Sequence, residues 1–170
     1  MDLKDNIRSI ADFPQPGILF RDITTLLQNK AAYVQLIDDM ARSMEGMDIE
    51  AVVGLEARGF VIGAPLAYRM GLGFVPIRKK GKLPCATYSY SYALEYGEDT
   101  FQMHKDALSP GQRVAIIDDL LATGGTALAA CKLVEMAGAR VAALRFAIEL
   151  TDLGGAARLK GYDIKAEIVY

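Results

Sequence analysis

The chain has no tryptophan, one histidine and two cysteines among 170 residues. Cys85 and Cys131 lie far apart outside any C-x-x-C pattern, and His104 is the lone imidazole, so neither a structural zinc site nor a disulfide framework can be assembled. A reduced, intracellular setting is expected. Long apolar runs are missing too: nothing approaches the roughly 20 residues that a membrane-spanning helix needs. The opening MDLKDNIRSI mixes charged with apolar residues where a signal peptide would have an apolar core, so a cytosolic protein without a membrane partner is expected. An excess of positive charge is also absent. The formal net charge of -2 offers no field for a nucleic-acid backbone. Two nucleotide-binding motifs are lacking as well, since G-x-x-x-x-G-K-[ST] does not occur and no G-x-G-x-x-G follows the first strand.

What is present is apolar material, 52% of the residues, enough for one domain spanning 1–170 with a full core. Tyr33, Leu36, Ile37, Met40, Ala41 and Met44 recur at spacings of three and four, which predicts an amphipathic helix over Ala31–Met44. A strand is expected from near Ile49 through Ala51–Leu55, followed by a turn at EARG. A helix is then expected over Phe60–Met70, with Pro65 either in its first turn or kinking it. Phe74–Ile77 and Val114–Ile117 read as strands, Thr126–Ala137 as a helix ended by Gly138, and Arg140–Ile148 as another strand. The tail KAEIVY reads as a last strand. Leu83–Gly97, rich in Ser, Tyr and Thr, is either an exposed hairpin or a mobile loop. Near-continuous apolar strands alternating with helices imply an α/β fold, a mainly parallel twisted sheet flanked by helices.

VAIIDDLLATGGT, residues 114–126, concentrates the chemistry. An apolar strand runs into two aspartates and then into a glycine-rich helix start. Ligands of open parallel sheets bind beyond the carboxyl ends of the strands. Helix-start amides are unpaired within the helix and carry the positive end of its dipole, so Ala122, Thr123, Gly124, Gly125 and Thr126 form a phosphate cradle. The glycines let the backbone approach closely, and the threonine hydroxyls add donors. Asp118 and Asp119 repel phosphate and suit hydroxyl groups or a ligand-borne cation. Ribose 5-phosphate satisfies both halves. Taken singly, an Asp pair is an ordinary turn or cap and a Gly pair an ordinary tight turn; it is the combination that points to a ligand.

This stretch resembles the phosphoribosyl pyrophosphate signature of the type I phosphoribosyltransferases, whose fold is Rossmann-like. Three further stretches resemble the adenine-specific members of that family. FPQPGILFRDIT (Phe13–Thr24) is similar to their adenine-recognition segment, GLEARGF (Gly54–Phe60) to their pyrophosphate turn, and RKKGKLP with YALEYG (Arg78–Gly97) to their catalytic flexible loop. The resemblance implies a small N-terminal base-binding hood over about residues 1–25 and a flexible loop over about 79–97. It implies transfer of the phosphoribosyl group to adenine in purine salvage: N9 attacks C1′ with inversion, AMP forms and pyrophosphate leaves.

The implied roles place Asp118 and Asp119 on the ribose hydroxyls, and Arg58, Arg78, Lys79 and Lys82 on the pyrophosphate. Which of the cations Arg78, Lys79, Lys80 and Lys82 make contact, and from which subunit of an implied homodimer, stays open. Leu19 and Arg21 would read adenine through backbone groups, with Phe20 and Leu150 as apolar plates on its faces. Arg58 and Glu95 are the implied catalytic residues, Glu95 as the acid/base at adenine N7 with Tyr96 beside it in the loop. Mg²⁺ would arrive on the substrate without a protein cage. Cys85, Ala86 and Thr87 depart from the charged pattern of bacterial relatives at the same place in the loop.

Two alternatives share the signature. A transferase for xanthine or a 6-oxopurine is disfavoured by FPQPGILFRD, because the reversed donor and acceptor pattern would leave buried groups unpaired. A phosphoribosyl pyrophosphate-sensing regulator would need a DNA-binding domain or basic face for which the chain has no room.

Overall fold

The computed structural model describes residues 1–93 and 97–170. Arg8–Ala11 (β1) and Leu19–Asp22 (β2) pair antiparallel as a separate two-stranded sheet. Thr24–Gln28 (α1) and Lys30–Arg42 (α2) follow, the second capped by the Asn29 side chain, which accepts from the amides of Ala31 and Ala32. The chain then alternates through Ala51–Leu55 (β3), Arg58–Met70 (α3) and Gly73–Lys79 (β4). Thr87–Ala93 (β5) and Glu98–His104 (β6) are antiparallel partners. Arg113–Leu121 (β7), Gly125–Met136 (α4), Arg140–Glu149 (β8), the short Gly155–Arg158 (α5) and Ile164–Val169 (β9) complete it.

The main sheet has seven strands in the order β5-β6-β4-β3-β7-β8-β9. From β4 to β9 every pairing is parallel. Strand order reverses between β3 and β7, since the chain moves outward in one direction from β3 to β4 and in the other from β7 to β8. That switch point opens a crevice at the carboxyl ends of the two strands.

Alternation in β7 fills both layers of the core. Val114 and Ile116 face the layer holding Leu133 and Val134 of α4, whereas Ala115 and Ile117 face the layer holding Leu36 and Met40 of α2 with Ile62 and Leu66 of α3.

Three elements add to the sequence expectations. Pro65 lies beyond the first turn of α3, and the helix runs through it. Proline cannot donate to the carbonyl one turn back, and the Tyr33 hydroxyl instead donates to the Val61 oxygen. The hairpin reading of Leu83–Gly97 fits β5, whose partner β6 lies beyond that range. Tyr92, Phe101 and Met103 are buried, because β6 extends the main sheet by pairing with β4. Finally, β7 continues past Ile117, so both aspartates belong to the strand; Asp118 is paired in register with Phe146.

Candidate active site

The crevice at the switch point is a cleft of about 1000 Å³. Of the expected residues, Arg58, Asp118, Asp119 and Ala122–Thr126 line it together. Proximity begins with a glycine. A Cβ on Gly59 would lie 2.9 Å from the Asp118 carboxylate and 3.0 Å from the Ile117 carbonyl, so only glycine lets the start of α3 rest on the end of β7. Arg58, the residue before it, thereby reaches across and donates to Asp119 through Nε. The cation assigned to pyrophosphate and a carboxylate assigned to ribose are thus joined directly. Asp119 is buried while much of the Arg58 side chain stays exposed, so this pair lies at the floor of the cleft.

Asp118 is the other carboxyl of the pair. Withdrawal from water, then repulsion by Asp119, hold its carboxyl well above the usual carboxylate range. Its Oδ1 accepts the Asp119 amide at 2.9 Å. Two adjacent carboxyl groups at the end of one strand are suited to hydroxyl groups, which can donate to them.

Beyond them the backbone turns sharply. Gly124 has φ +78 and caps α4 with no side-chain hydrogen bond, which leaves the amides of the first turn to face the cleft. A Cβ on Gly124 would come within 2.8 Å of the Gly155 carbonyl, and one on Gly155 within 2.8 Å of the Leu121 side chain. The loop is therefore sandwiched between β7 and the Gly154–Gly155 turn, which fixes its shape without ligand.

The lining residues outside the expected set are Glu56, Ala57, Tyr92, Leu120, Leu121, Leu153 and Arg158. Glu56 sits inside GLEARGF, but its partner lies in RKKGKLP, so no local pattern shows the pair. Glu56 accepts from Arg78 at 3.2 and 3.3 Å and from the Lys79 amide at 2.9 Å. Tyr92 comes from β5; burial, then Asp99, pushes its phenol up to about 12. Arg158 arrives from α5 and would have its Nη1 3.4 Å from a Cβ on Gly125, at the very start of α4. No local pattern announces it.

The remaining expected residues lie elsewhere. Arg78 is paired with Glu56 and Lys79 with Asp99 at 3.0 Å, so both already have carboxylate partners, while Lys82 donates its amide to the Lys79 carbonyl. Leu19, Phe20 and Arg21 belong to β2, which has a strand partner on one edge only. Phe20 meets Phe13 edge-on at 5.1 Å. Leu150 follows β8 directly, its amide bonded to the Leu121 carbonyl at 2.9 Å. Glu95 and Tyr96 fall outside the described residues. Among the described residues no three His, Cys, Asp or Glu side chains converge as a metal cage.

Comparison with known proteins follows the same lines. A family model for the phosphoribosyl transferase domain matches residues 22–165. Adenine phosphoribosyltransferase of Alkaliphilus oremlandii is 54% identical over 170 residues, covering 100% of this chain and 99% of its own. That of Roseiflexus sp. is 56% identical over 169 residues, with 99% and 98% covered. The crystal structure of adenine phosphoribosyltransferase from Thermoanaerobacter pseudethanolicus superposes with a TM-score of 0.96 at 52% identity, covering 99% of this chain and 98% of that one. The Saccharomyces cerevisiae enzyme, complexed with an imino-altritol bisphosphate and adenine, gives 0.92 at 38% identity, with 97% and 96% covered. With its switch-point cleft, its signature loop and full-length relatives of this kind, the chain belongs to the phosphoribosyltransferase family, among the adenine phosphoribosyltransferases.

Proposed function

We infer that the protein transfers the 5-phosphoribosyl group from phosphoribosyl pyrophosphate to adenine, giving AMP and pyrophosphate in purine salvage. The observation that carries this reading is the convergence of Asp118 and Asp119 with the uncapped start of α4 in one cleft. The amides of Ala122–Thr126 take the 5-phosphate, and Arg158, exposed at the same helix start, adds a cation there. The aspartates hold the ribose diol. As the bond to pyrophosphate breaks, positive charge develops on the ribose ring, and carboxylates already fixed in the cleft stabilise it without reorganising. Arg58 leaves Asp119 for the diphosphate, so substrate binding exchanges an internal ion pair for one with the leaving group.

On the base side, the free edge of β2 offers backbone donors and acceptors to adenine at Leu19 and Arg21, with Phe20 and Leu150 against its faces. Glu95 serves as acid/base at N7, with Tyr96 beside it, and Arg78, Lys79 and Lys82 reach the pyrophosphate once Glu56 and Asp99 release the first two. Mg²⁺ fits this donor set as a substrate-borne ion. Asp118 and Asp119 are hard oxygen ligands, too few for a cage, beside a ligand rich in oxygens of its own; the ion would neutralise the leaving diphosphate.

A homodimer belongs to the same proposal. Val61, Ala64 and Tyr68 form an exposed stripe one and two turns apart along α3, with Tyr68 89% exposed. A cytoplasmic setting is supported by two unpaired cysteines, Cys85 exposed and Cys131 buried, and no helix among the described residues is long and apolar enough to cross a membrane.

A panel of bases with phosphoribosyl pyrophosphate and Mg²⁺ tests the reading. AMP forms from adenine, and hypoxanthine and xanthine turn over at least about 10³-fold more slowly in kcat/KM, because a hydrogen-bonding site rejects reversed donors and acceptors. Preference for an oxopurine would overturn the base assignment while leaving the ribose and phosphate roles standing.

A further inference from the structure

The two walls assigned to the base come from opposite ends of the chain: Phe20 and Arg21 from β2, Leu150 from the residue after β8. Tyr170 touches both. Its amide donates to the Glu149 carbonyl at 3.0 Å, and its carbonyl accepts from the Thr151 amide at 3.0 Å and the Thr151 hydroxyl at 2.7 Å. Both chain neighbours of Leu150 are therefore held by the backbone of Tyr170. Its ring faces the other way. The Arg21 guanidinium carbon lies 3.8 Å from the ring centroid, and Lys4 Nζ lies 4.3 Å from it. Arg21 also donates to the Ser9 hydroxyl at 2.5 Å, so the contact is passed on to β1.

Such a link has a physical purpose. A two-stranded sheet is marginal by itself, and β2 is not paired with the main sheet. Its attachments come from side chains: Arg8 with Asp22 within the small sheet, Thr25 donating to the Asn6 carbonyl at its base, and Arg21 on the Tyr170 ring nearest the assigned base site. A guanidinium over a π face is attracted by the ring quadrupole at any solvent exposure, more so when partly dry, and Arg21 and Tyr170 are both half-buried. We propose that Tyr170 is a positioning residue for purine recognition: its backbone fixes Leu150, its ring holds Arg21, and the spacing between the two walls is set through this one residue. The proposal rests on the assignment of the base to Leu19–Arg21 and Leu150.

Three variants separate ring, bulk and backbone. Tyr170→Leu keeps the backbone hydrogen bonds and most of the apolar volume but removes the π face; Tyr170→Phe keeps the face; Tyr170→Ala removes both face and volume. Steady-state kinetics should show the KM for adenine raised roughly three- to tenfold in the Leu and Ala variants, the range that a cation–π contact supports. The KM for phosphoribosyl pyrophosphate should stay within a factor of two, and the Phe variant should match the parent. Should Tyr170→Ala not fold, Arg21→Gln and the double variant Arg21→Gln with Tyr170→Leu provide a cycle in which the second change adds little to the first. An unchanged adenine KM in Tyr170→Leu, an equal rise in both KM values, or full additivity in the cycle overturns the proposal. If adenine is a substrate and these variants behave as the parent, the link fails alone; if adenine is not turned over, the base assignment fails first.

Discussion

The two proposed binding regions are made in opposite ways. At the proposed phosphate and ribose region, Asp119, Gly124 and Gly125 are buried, and the loop is wedged between a central strand and the Gly154–Gly155 turn. At the proposed base region, Phe13 and Leu19 are about half exposed, on a small sheet held by side-chain contacts. A phosphate and a diol are the same in every substrate of such a transferase, so their site can be pre-set in the core, where no binding energy is lost to ordering the loop. A base differs from one family member to another, and a peripheral segment can be changed without disturbing the core.

The strongest way to break this contrast is to spoil the pre-set end. Gly124→Val puts a branched side chain at φ +78, against the Gly155 carbonyl. The backbone strain alone is about 1–3 kcal/mol, and the clash adds to it. Affinity for AMP, read by calorimetric titration, should fall roughly 100-fold, each 1.4 kcal/mol being a factor of ten. An affinity within twofold of the parent would mean that the loop is not pre-set. Leu150→Ala acts at the other end. Removing one face of the base site from a half-buried leucine should raise the adenine KM about fivefold to tenfold through lost apolar contact. The KM for phosphoribosyl pyrophosphate should not move, and a parallel rise in both would show that the two ends are not independent.

The smallest effect is expected in how the small sheet is anchored. Hydrogen bonds from Thr24, then from Arg8, lower the Asp22 carboxyl to about 2 from an ordinary 3.8. Because the folded value lies below the unfolded one, the stability is present above pH 3.8 and is lost as the pH falls toward 2. Much of Arg8 is in water, which screens the pair, so about 1 kcal/mol is involved. Chemical denaturation should show Asp22→Asn less stable than the parent at neutral pH and losing less across that acid window. Equal acid sensitivity in the two proteins would place the anchor elsewhere.

Much of this was legible beforehand, and the reasons are local. The strand and helix over Ala51–Met70 and the strand and helix over Val114–Ala137 follow from apolar periodicity and glycine stops, which act between residues a few positions apart. Hidden from that reading were the pairing of β6 with β4, which joins the hairpin to the main sheet, and the Tyr33 hydroxyl that takes up the Val61 carbonyl one turn before Pro65. The same holds for the pairing of Arg78 with Glu56, since GLEARGF and RKKGKLP each look complete without the other.

By itself the sequence determined the order of parts, an apolar strand, an acidic pair and a glycine-rich helix start, because that motif is continuous and its chemistry depends on backbone directions set within one turn. Tertiary structure alone decided that Arg58 rests on Asp119, that Arg158 reaches the start of α4, and that Tyr170 joins Arg21 to Leu150. Each of these contacts joins residues far apart in sequence, and only strand order and the packing of layers on the sheet bring such residues within reach of one another.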